Sequence, residues 1–596
     1  MTVEKLITDH IDTWSSALQT RSTAGRGSNG KIDLYGIKKL RELILELAVR
    51  GKLVQQDQND EPASELLKRI AAEKADLVKQ GKIKKQKLLP DISEDEKPFE
   101  LPDGWEWVRL NDISEYIQRG KGPKYSEQGS VKVVSQKCVQ WNGFKLEQSR
   151  WITDESIHSY TEDRFLKDGD VLWNSTGAGG TAGRCIYLPV VKEKLVVDSH
   201  VTLIRTIRDN GKFISNYIST YGIQNRFDPK HSNTLLSGTT NQAELNSSVV
   251  TSFLAPFPPQ REQERINEKT AELMSLCDLL EQQSLTSHNA HQQLVETLLA
   301  TLIDSQNVEE LDENWARISQ HFDTLFTTEA SINSLKQTIL QLAVMGRLVP
   351  QDPNDEPASE LLKRIEQEKA QLVKEGKIKK QKPLPPISDE EKPFELPSGW
   401  EWIRFGEILA ELKYGTSQKC DYLTNGYPVL RIPNVVGGEV SLEDMKFGKL
   451  SEHEVKELSL EKDDLIFIRS NGSLNIVGQC TLLRQDLVNH AYAGYLIRAK
   501  MHNNFVCAEY ISLMTKAVLI RNQIEKPVRT TTGVKNINSS ELSNLKLTFP
   551  PLSMQMVIVE KVNALLSFCE SLKSRLNSAQ QTQLHLADAL TDAVLN

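Results

Sequence analysis

One long segment of this chain occurs twice. Residues 45–107 and 340–402 align without gaps at an offset of 295, and 49 of the 63 aligned positions are identical. Further matches follow at an offset of 292, where Phe257-Pro258-Pro259 corresponds to Phe549-Pro550-Pro551. A chain built this way is expected to fold with approximate two-fold internal symmetry, because near-identical sequences form near-identical structures.

The stretches between the matched blocks, about 109–238 and 404–530, scarcely resemble each other. A simple duplication would have left the repeated scaffold and these inserts equally similar. We therefore infer that both scaffold copies meet the same kind of partner, whereas each insert meets something different. Approximate two-fold symmetry suits a target with similar symmetry, such as duplex DNA.

A chain of 596 residues is too long for one ordinary core and predicts several domains. The repeat divides it into five segments. These are an N-terminal helical region (1–107), a first head (108–258), a central region with a long helix and the second scaffold copy (259–402), a second head (403–549) and a C-terminal helix (550–596).

The formal net charge of −8 argues weakly against nucleic-acid binding, but the charge is unevenly distributed. Residues 108–255 carry about +3 and residues 403–548 about +2, whereas residues 256–402 carry about −11. A segment that acidic is unsuited to lie along phosphates and better suited to a protein partner.

A long helix is predicted after each head, and Pro259 suits the start of the first one. Apolar residues recur every seven positions in both, which is typical of a coiled-coil seam. About 30–40 residues at 1.5 Å each would give a rod of roughly 45–60 Å. Alternatively, each helix packs separately on its own domain. The seam residues are Ile266, Leu273 and Leu280 in the first helix and Ile558, Leu565 and Leu572 in the second.

The heads are predicted to be β-rich. Short β-branched and aromatic runs such as Val171–Trp173, Val196–Arg205 and Leu465–Arg469 alternate with Gly and Asn turns. Scaffold segments such as Tyr35–Val49 and Ser331–Met345 instead have helical periodicity. The predicted fold class is therefore α+β, with two β-rich globular heads separated by long helices.

Motifs for catalysis are missing. The chain has no GxxxxGK[ST] phosphate loop, because the glycine-rich stretch 177–183 lacks the lysine. It has no Asn/Asp-Pro-Pro-aromatic motif, no metal-ligand spacing and no convincing nuclease triad. We expect no catalytic residue and no metal site. The 7 scattered cysteines, with no signal-peptide core and no run of about 18 apolar residues, predict a cytoplasmic protein without a membrane span.

Three polar loops in each head carry groups that suit DNA. Lysine and arginine can contact phosphates, asparagine can read adenine, and serine or threonine can contact either. In the first head the candidates are Arg119, Lys121, Lys124 and Tyr125 (loop A1, 119–125), Trp173, Asn174, Ser175 and Thr176 (loop B1, 173–177), and Thr239, Thr240 and Asn241 (loop C1, 237–241).

The second head offers a corresponding set. Its candidates are Lys413, Tyr414, Thr416, Gln418 and Lys419 (loop A2, 413–419), Arg469, Ser470, Asn471 and Ser473 (loop B2, 469–473), and Arg529, Thr530 and Thr531 (loop C2, 529–533). For any single residue the alternative stays open that Asn-Gly and Ser-Gly runs form ordinary turns and that isolated lysines are merely solvated.

Several of these segments also carry a family resemblance. The chain resembles the specificity subunits of type I restriction–modification systems in residues 340–349, in the Gly169-Asp170-Val171-Leu172 strand with Gly177, and in residues 257–266. Each motif alone is weak, but their order, doubled in one chain, is specific. The resemblance covers nearly all of the sequence.

The resemblance implies two target-recognition domains that each read one half of a split site in double-stranded DNA. It implies that the long helices pair as an antiparallel coiled coil and set the gap between the halves. Two methyltransferase subunits would dock on the conserved regions, and restriction (translocase) subunits would join them. S-adenosylmethionine, ATP and magnesium would belong to those partners, with no cofactor in this chain.

Two alternatives are a protein-binding adaptor with two divergent heads and a stand-alone nuclease or methyltransferase. The sequence also departs from the family pattern. Residues 552–555 read Leu-Ser-Met-Gln where the first copy has the usual Glu262-Gln263, so contacts with partner subunits are expected to differ there. A scaffold motif near the N-terminus, Leu47–Gly51, suggests that the N-terminal segment completes a circular arrangement with the C-terminal helix.

Overall fold

The computed structural model describes residues 3–21, 31–86, 89–177, 180–208, 210–238, 243–378, 382–423, 425–526, 529–531 and 534–595. The chain divides into two compact units, one of residues 1–287 with 579–596 and one of residues 288–578. Each unit therefore contains one scaffold copy, one head, the first part of one long helix and the last part of the other.

The first unit has a helical scaffold and a β-rich head. Its helices are α1 (Val3–Asp9), α2 (Ile11–Ser16), α3 (Tyr35–Val49), α4 (Ala63–Lys79), α5 (Leu110–Ile113), α6 (Asp154–Ile157), α7 (Gly211–Ile218), α8 (Tyr221–Gln224), α9 (Ser247–Ser252) and the first part of α10 (Gln260–Asp304). Its strands are β1 (Gln19–Arg21), β2 (Lys31–Asp33), β3 (Glu106–Arg109), β4 (Ser114–Arg119), β5 (Lys132–Val134), β6 (Val139–Gln140), β7 (Gly143–Phe144), β8 (Arg150–Trp151), β9 (Val171–Asn174), β10 (Cys185–Tyr187), β11 (Leu195–Val197), β12 (Val201–Thr206) and β13 (Leu254–Phe257).

The second unit repeats this plan. Its helices, after the last part of α10, are α11 (Val308–Gln320), α12 (Phe322–Leu325), α13 (Glu329–Val344), α14 (Ala358–Lys374), α15 (Ile432–Val435), α16 (Glu452–Glu457), α17 (Ala508–Met514), α18 (Val518–Glu525), α19 (Ser539–Ser543) and the first part of α20 (Leu552–Leu595). Its strands are β14 (Glu401–Arg404), β15 (Leu409–Tyr414), β16 (Cys420–Asp421), β17 (Tyr427–Leu430), β18 (Lys446–Gly448), β19 (Leu465–Ile468), β20 (Ser470–Asn471), β21 (Cys480–Leu482), β22 (Ala491–Tyr492), β23 (Leu496–Met501), β24 (Arg529–Thr531), β25 (Val534–Asn536) and β26 (Lys546–Phe549).

The two heads share the topology of their main sheet, whereas their smaller sheets differ in strand number. A four-stranded antiparallel sheet has the order β10-β9-β12-β4 in the first head and β21-β19-β23-β15 in the second. A parallel pair, β5 with β11 or β17 with β22, lies in a smaller sheet of each head. A two-stranded ladder, β3 with β13 or β14 with β26, brings the two ends of each head together. The predicted α+β class and the internal repeat are confirmed.

Helix α3 shows why the scaffold segments are helical. Its apolar residues, among them Leu40, Ile44 and Leu47, recur every three or four positions and are buried in the core of the first unit. The helix ends before Gly51, which has φ +66°, a conformation that glycine adopts easily. The second copy, α13, ends in the same way before Gly346 (φ +71°).

In the first unit, α3 contacts parts of both long helices. The Tyr35 hydroxyl donates to Asp588 Oδ1 of α20 at 2.6 Å. Arg41 Nη2 lies 2.6 Å from Asp278 Oδ1 of α10. Lys52, just after α3, donates to the carbonyl oxygen of Leu595 at 3.2 Å. The N-terminal scaffold thus packs against the C-terminal helix, which confirms the predicted circular arrangement within this unit.

The second unit makes the equivalent contacts with α13. Lys336, which corresponds to Arg41, lies 2.5 Å from Glu570 of α20, which corresponds to Asp278. Arg347, which corresponds to Lys52, donates to the carbonyl oxygen of Ile303 in α10 at 3.0 Å. Each scaffold copy therefore holds the first part of one long helix and the last part of the other.

The predicted seam residues are buried or partly buried. Within the first unit's core, Ile266 and Leu273 are fully buried and Leu280 packs against them, and within the second, Ile558 is fully buried and Leu565 and Leu572 are partly buried. The first part of each long helix thus packs on the core of its own unit, as the alternative interpretation expected. Direct pairing of the two long helices as a coiled coil stays a prediction.

The departure at residues 552–555 changes one buried contact. In the first unit the Trp105 indole donates to Glu262 Oε2 at 3.0 Å. Met554 stands at the position of Glu262 in the second copy, and there the Trp400 indole donates to Gln351 Oε1 at 2.8 Å instead. This difference lies inside the chain, so the expected difference in partner contacts at residues 552–555 stays a prediction.

One helix in the described part of the chain, α20, is long and apolar enough to cross a membrane by length and composition, with a mean hydropathy of 1.3 over its most apolar window. A single helix of this kind is a weak indication. Its residues Ile558, Val562 and Cys569 are buried in the core of the second unit, and Ala587 in that of the first. Within the most apolar window of α20, 33% of the residues are buried inside the protein.

Candidate nucleic-acid interface

Loops A1 and B1 leave the same edge of the four-stranded sheet in the first head. Strand β4 ends at Arg119, which pairs with Thr202, and β9 ends at Asn174, which pairs with Val201. Both partners lie at the start of β12, the strand between β4 and β9. The register of the sheet therefore places the two loops side by side.

Ser237 and Glu244 of the first head join this edge. The Glu244 carboxylate lies 2.9 Å from Nη1 of Arg119 in loop A1. The backbone of Glu244 forms β-bridges with Ser237 and with Thr176 of loop B1. The Thr176 hydroxyl also lies 2.6 Å from Nδ1 of His200. Residues from all three predicted loops thus meet on one surface.

The second head reaches the same arrangement by different contacts. Strand β15 ends at Tyr414 and β19 ends beside Leu496, the first residue of β23. The Arg469 guanidinium lies 4.8 Å above the Tyr414 ring, which joins loops A2 and B2. Strand β25 pairs with both β20 of loop B2 and β24 of loop C2. The Tyr414 hydroxyl lies 3.1 Å from Ser539 Oγ, just beyond β25.

The predicted cations of loops A1 and A2 lie at the surface in exposed or half-buried positions. Lys124 lies 3.0 Å from Glu155, and both side chains are largely exposed. Lys121 donates to the carbonyl oxygen of Ser159 at 2.7 Å. Lys413 forms a hydrogen bond that lowers the pKa of Glu457 below its ordinary value. Such exposed ion pairs contribute little to stability, so these lysines are free to exchange partners for phosphates.

The remaining predicted side chains of the second head divide into turn formers and exposed groups. Thr416 accepts from the backbone N–H of Gln418 at 3.1 Å, and Asn471 accepts from that of Ser473 at 2.8 Å. For Thr416 and Asn471 the ordinary turn interpretation therefore holds. Gln418, Lys419 and Ser473 have exposed side chains, and Ser470 is half-buried in β20.

Three predicted side chains in loop B1 are fully buried. Trp173 packs 5.1 Å from the Phe253 ring and donates its indole N–H to the Gly183 carbonyl at 3.1 Å. Asn174 and Ser175 also have no exposed surface. A side chain without exposed surface cannot touch a base or a phosphate. The prediction that these three residues contact DNA directly is wrong in this conformation, because long-range packing draws the start of the loop into the core.

Asn174 instead fixes the loop from inside. Its amide nitrogen lies 3.2 Å from the carbonyl oxygens of Gln136 and Thr181 and 3.4 Å from that of Val139. Gln136 lies in the turn before strand β6, Val139 is the first residue of β6, and Thr181 lies in the turn before β10. Buried amides held this way orient the backbone around them.

The structure does not describe the side chains of two groups of predicted DNA-contacting residues, in loops C1 and C2. Thr239, Thr240 and Asn241 are outside the described residues. For Arg529, Thr530 and Thr531 only the backbone is described, as strand β24. Their side chains stay predictions.

Gly120 in loop A1 has a structural role that the sequence did not reveal, and so has Gly415 in loop A2. A Cβ atom at Gly120 would lie 2.1 Å from the Val197 carbonyl oxygen, and one at Gly415 of loop A2 would lie 2.1 Å from that of Tyr492. Both glycines let loop A cross closely over the parallel strand of its own head. Their presence is therefore no sign of close approach to a phosphate.

The motif aspartates that open the strands before loop B differ between the heads. Asp170 forms a buried bidentate pair with Arg205, at 2.7 and 2.8 Å. Asp464, its counterpart, accepts from the backbone N–H of Glu461 at 2.9 Å, and its Oδ1 atom has no hydrogen-bond partner. Burial raises the pKa of Asp464 to about 6. Lys500, which has the register position of Arg205, lies 2.7 Å from Glu461 instead.

Several residues around the loops were missed by sequence reasoning. A groove of about 1470 Å³ in the first unit is lined by Arg119, Thr176 and Glu244, and also by His200 and Trp141. The Trp141 side chain is 56% exposed. The Trp-Asn-Gly sequence signals a hairpin turn, but it does not reveal that the turn borders the loops.

The second head has an exposed aromatic of its own that was also missed. Tyr422 is 60% exposed, and Lys446 Nζ lies 4.8 Å from its ring centre. In the first head, Tyr125 of loop A1 is similarly exposed, with the Arg150 guanidinium 3.8 Å above its ring. Exposed aromatic–cation pairs of this kind can stack on bases and neutralise phosphates.

Among the residues described in the structure, no group of three or more His, Cys, Asp or Glu side chains could hold a metal ion. The arrangement of polar loops and exposed cations suits binding to a polyanion.

Comparisons with known proteins agree with this interpretation. The family model described as "Type I restriction modification DNA specificity domain" matches residues 102–286 and again 397–581. The EcoEI and EcoAI type I restriction enzyme specificity subunits of Escherichia coli are each 49% identical to this chain, over 100% of both sequences.

Among solved structures, a chain from a study of complex assembly in the type I R-M system covers 84% of this chain and 99% of its own length. It has a TM-score of 0.46 and 16% sequence identity, too low to add to the assignment. The two family-model matches and the full-length relatives are sufficient: this chain belongs to the family of type I restriction enzyme specificity subunits.

Proposed function

We propose that this chain is the DNA-recognition subunit of a type I restriction–modification complex and that each head reads one half of a split DNA site. The main support for the proposal is that, in each head, the polar loops lie together at one edge of the four-stranded sheet. The frameworks under these loops are alike, whereas the loop residues differ. Two similar frameworks with different reading surfaces suit two different half-sites.

The repeated scaffold is the proposed docking region for modification subunits. Two near-identical scaffold copies favour two copies of one partner, one on each, with restriction subunits joining that complex. The acidic central segment, about −11 over residues 256–402, is unsuited to phosphates and fits a protein interface.

We also propose that the chain itself is not catalytic and acts in the cytoplasm. Its missing phosphate loop and methyltransferase motif support the first point. S-adenosylmethionine, ATP and magnesium would then be bound by the partner subunits, which would carry out methylation and cleavage at the site that this chain selects.

Methylome sequencing tests the proposal. A host lacking the system is sequenced before and after it receives this chain together with its cognate modification subunit. We expect adenine methylation at a motif of two short defined halves around a fixed unread gap. If the complex assembles but no motif becomes methylated, the heads are not DNA readers, and the protein-binding adaptor becomes the better account.

A further inference from the structure

We propose that Trp141 is a specificity-determining DNA contact of the first head, carried by a rigid hairpin next to the recognition loops. This inference rests on the proposed function and adds a recognition element to it. A single exposed apolar residue is common at protein surfaces and needs no explanation by itself. Trp141 differs from such residues because an anchored hairpin carries it and because it borders the groove beside the recognition loops.

The hairpin presents Trp141 at its tip. Strands β6 and β7 pair Val139 with Phe144 and Gln140 with Gly143, so Trp141 is the first of two residues in the connecting turn. Gly143 has φ +109°, which only glycine adopts without strain, and this closes the turn tightly. The geometry requires a glycine there, but nothing in it requires a tryptophan at the tip.

The base of the hairpin is firmly anchored. Val139 is fully buried in a core cluster of the head. The backbone N–H of Lys145 donates to the Cys138 carbonyl at 2.8 Å, and Gln140 donates to the Lys137 carbonyl at 2.9 Å. Arg184 donates to the Gln140 side chain from the neighbouring turn. A large aromatic on an anchored hairpin loses little conformational freedom on binding, which favours affinity.

Trp141 also lies among the groups proposed to bind DNA. It borders the same groove as Arg119, Thr176 and His200, in which the cation and polar groups can contact phosphate and base edges. The buried Asn174 amide connects the hairpin to loop B1 through its contact with the Val139 carbonyl. The tryptophan and the loop are therefore positioned by one shared support.

The hairpin belongs to the part of the chain that differs between the heads. In the first head, β5 is followed by β6 and β7. In the second head, the equivalent strand β17 is followed by the short helix α15. A contact used for a partner common to both heads would be expected in the repeated scaffold, so DNA is the favoured ligand.

The indole would act by stacking on a base or by contact with a thymine methyl group. Base–aromatic stacking and apolar groove contacts provide both affinity and sensitivity to the base step that is touched. The effect of removing one such contact corresponds to a loss of roughly 5- to 150-fold in affinity.

The test uses the full chain assembled with its modification subunit. Binding is measured for a duplex carrying the motif found by methylome sequencing, for duplexes with each base pair of either half changed in turn, and for a scrambled duplex. The variants are W141A, the conservative W141F, and V190A as a control. Val190 is a 60% exposed apolar residue of the same head that does not line the groove.

We expect W141A to lose about 5- to 150-fold in affinity for the cognate duplex and to discriminate less at one position of one half-site. Binding of the scrambled duplex should stay within about twofold, W141F should recover most of the loss, and V190A should match the wild type. Cognate affinity of W141A within twofold of the wild type would overturn the proposal, as would a loss confined to assembly with the modification subunit. If the wild-type complex itself fails to distinguish cognate from scrambled DNA, the proposed function fails together with this inference.

Discussion

Replacing the same motif aspartate in the two heads should have different consequences. In the first head, D170N removes the negative partner of Arg205, whose side chain is only 8% exposed. In the second head, D464N removes a carboxylate that has no arginine bound to it and whose pKa is raised to about 6 by burial. Burial also raises the pKa of Asp170, although the Arg205 pair opposes that rise. The two positions lie on equivalent strands, so the arginine partner is what distinguishes the two substitutions.

The magnitudes follow from these contacts. Breaking a buried ion pair by removing one partner costs about 3–5 kcal/mol, because the other charge stays buried. Arg205 keeps hydrogen bonds to the carbonyls of Asp163 and Phe165 at 3.1 and 2.8 Å, which places D170N near the lower end, at about 3 kcal/mol. At roughly 2–4 °C per kcal/mol, the Tm of the first unit should fall by about 6–12 °C.

For D464N the effect on the free energy of unfolding depends on pH. The pKa of Asp464 in the folded state, about 6, lies above the ordinary value near 3.8. The protonated group therefore makes its full favourable contribution to the free energy of unfolding below about pH 4. This contribution is lost as the pH rises through 6, and above that pH the loss approaches about 3 kcal/mol. D464N removes this titration. The difference in Tm between D464N and the wild type should become more favourable from pH 5 to pH 8.

Differential scanning calorimetry at pH 5 and pH 8 measures both effects, and hydrogen exchange assigns each change to one head. The reasoning is refuted if D170N changes the free energy of unfolding by less than about 1 kcal/mol, which would mean that the Arg205 pair is not a buried, desolvated one. It is equally refuted if the Tm difference for D464N is the same at both pH values.

Three further substitutions test other parts of the account. G120A would place a Cβ atom 2.1 Å from the Val197 carbonyl oxygen and should destabilise the first head by at least about 1–3 kcal/mol. The control is G122A, whose Cβ would have no neighbour closer than 3.9 Å. In the same thermal melt G122A should keep the wild-type Tm. N174A removes three hydrogen-bond partners and should cost about 1–3 kcal/mol in denaturant unfolding, and a neutral result would show that this amide supports nothing. R469A should weaken or relax recognition of one half-site only in methylome sequencing, and a change in both halves would contradict the independence of the heads.

Much of the fold could be predicted because its signals are local. Tyr35–Val49 was predicted as a helix from periodicity and the following glycine, and the structure has the same bounds. The predicted strand Val196–Arg205 is two strands, β11 and β12. The apolar run contains Asp198, whose carboxylate accepts from the backbone N–H of His200 at 2.8 Å and so makes a turn between the strands. Strand propensity alone does not register such a turn.

The candidate site could be located only in outline from sequence. Loop B was identified because polar and glycine residues directly follow a predicted strand, and loop A because it combines lysines with glycine. The sheet register then brings those loops together. Which side chains point outward depends on contacts far along the chain. Trp173 is buried because Phe227 and Phe253 pack against it, and nothing near it in the sequence indicates this. The position of Trp141 beside the groove is likewise set by tertiary structure.

A head exchange tests the central claim most directly. Residues 108–258 are replaced by the aligned segment of the EcoEI specificity subunit, which is 49% identical over the full length, and the methylome of a host carrying the chimaera and the modification subunit is sequenced. We expect one half of the methylated motif to become the one that the donor head reads in its own subunit, while the other half stays as in the wild type. A motif that changes in both halves, or that keeps the original half where the donor reads a different one, would contradict the account that each head reads its own half-site.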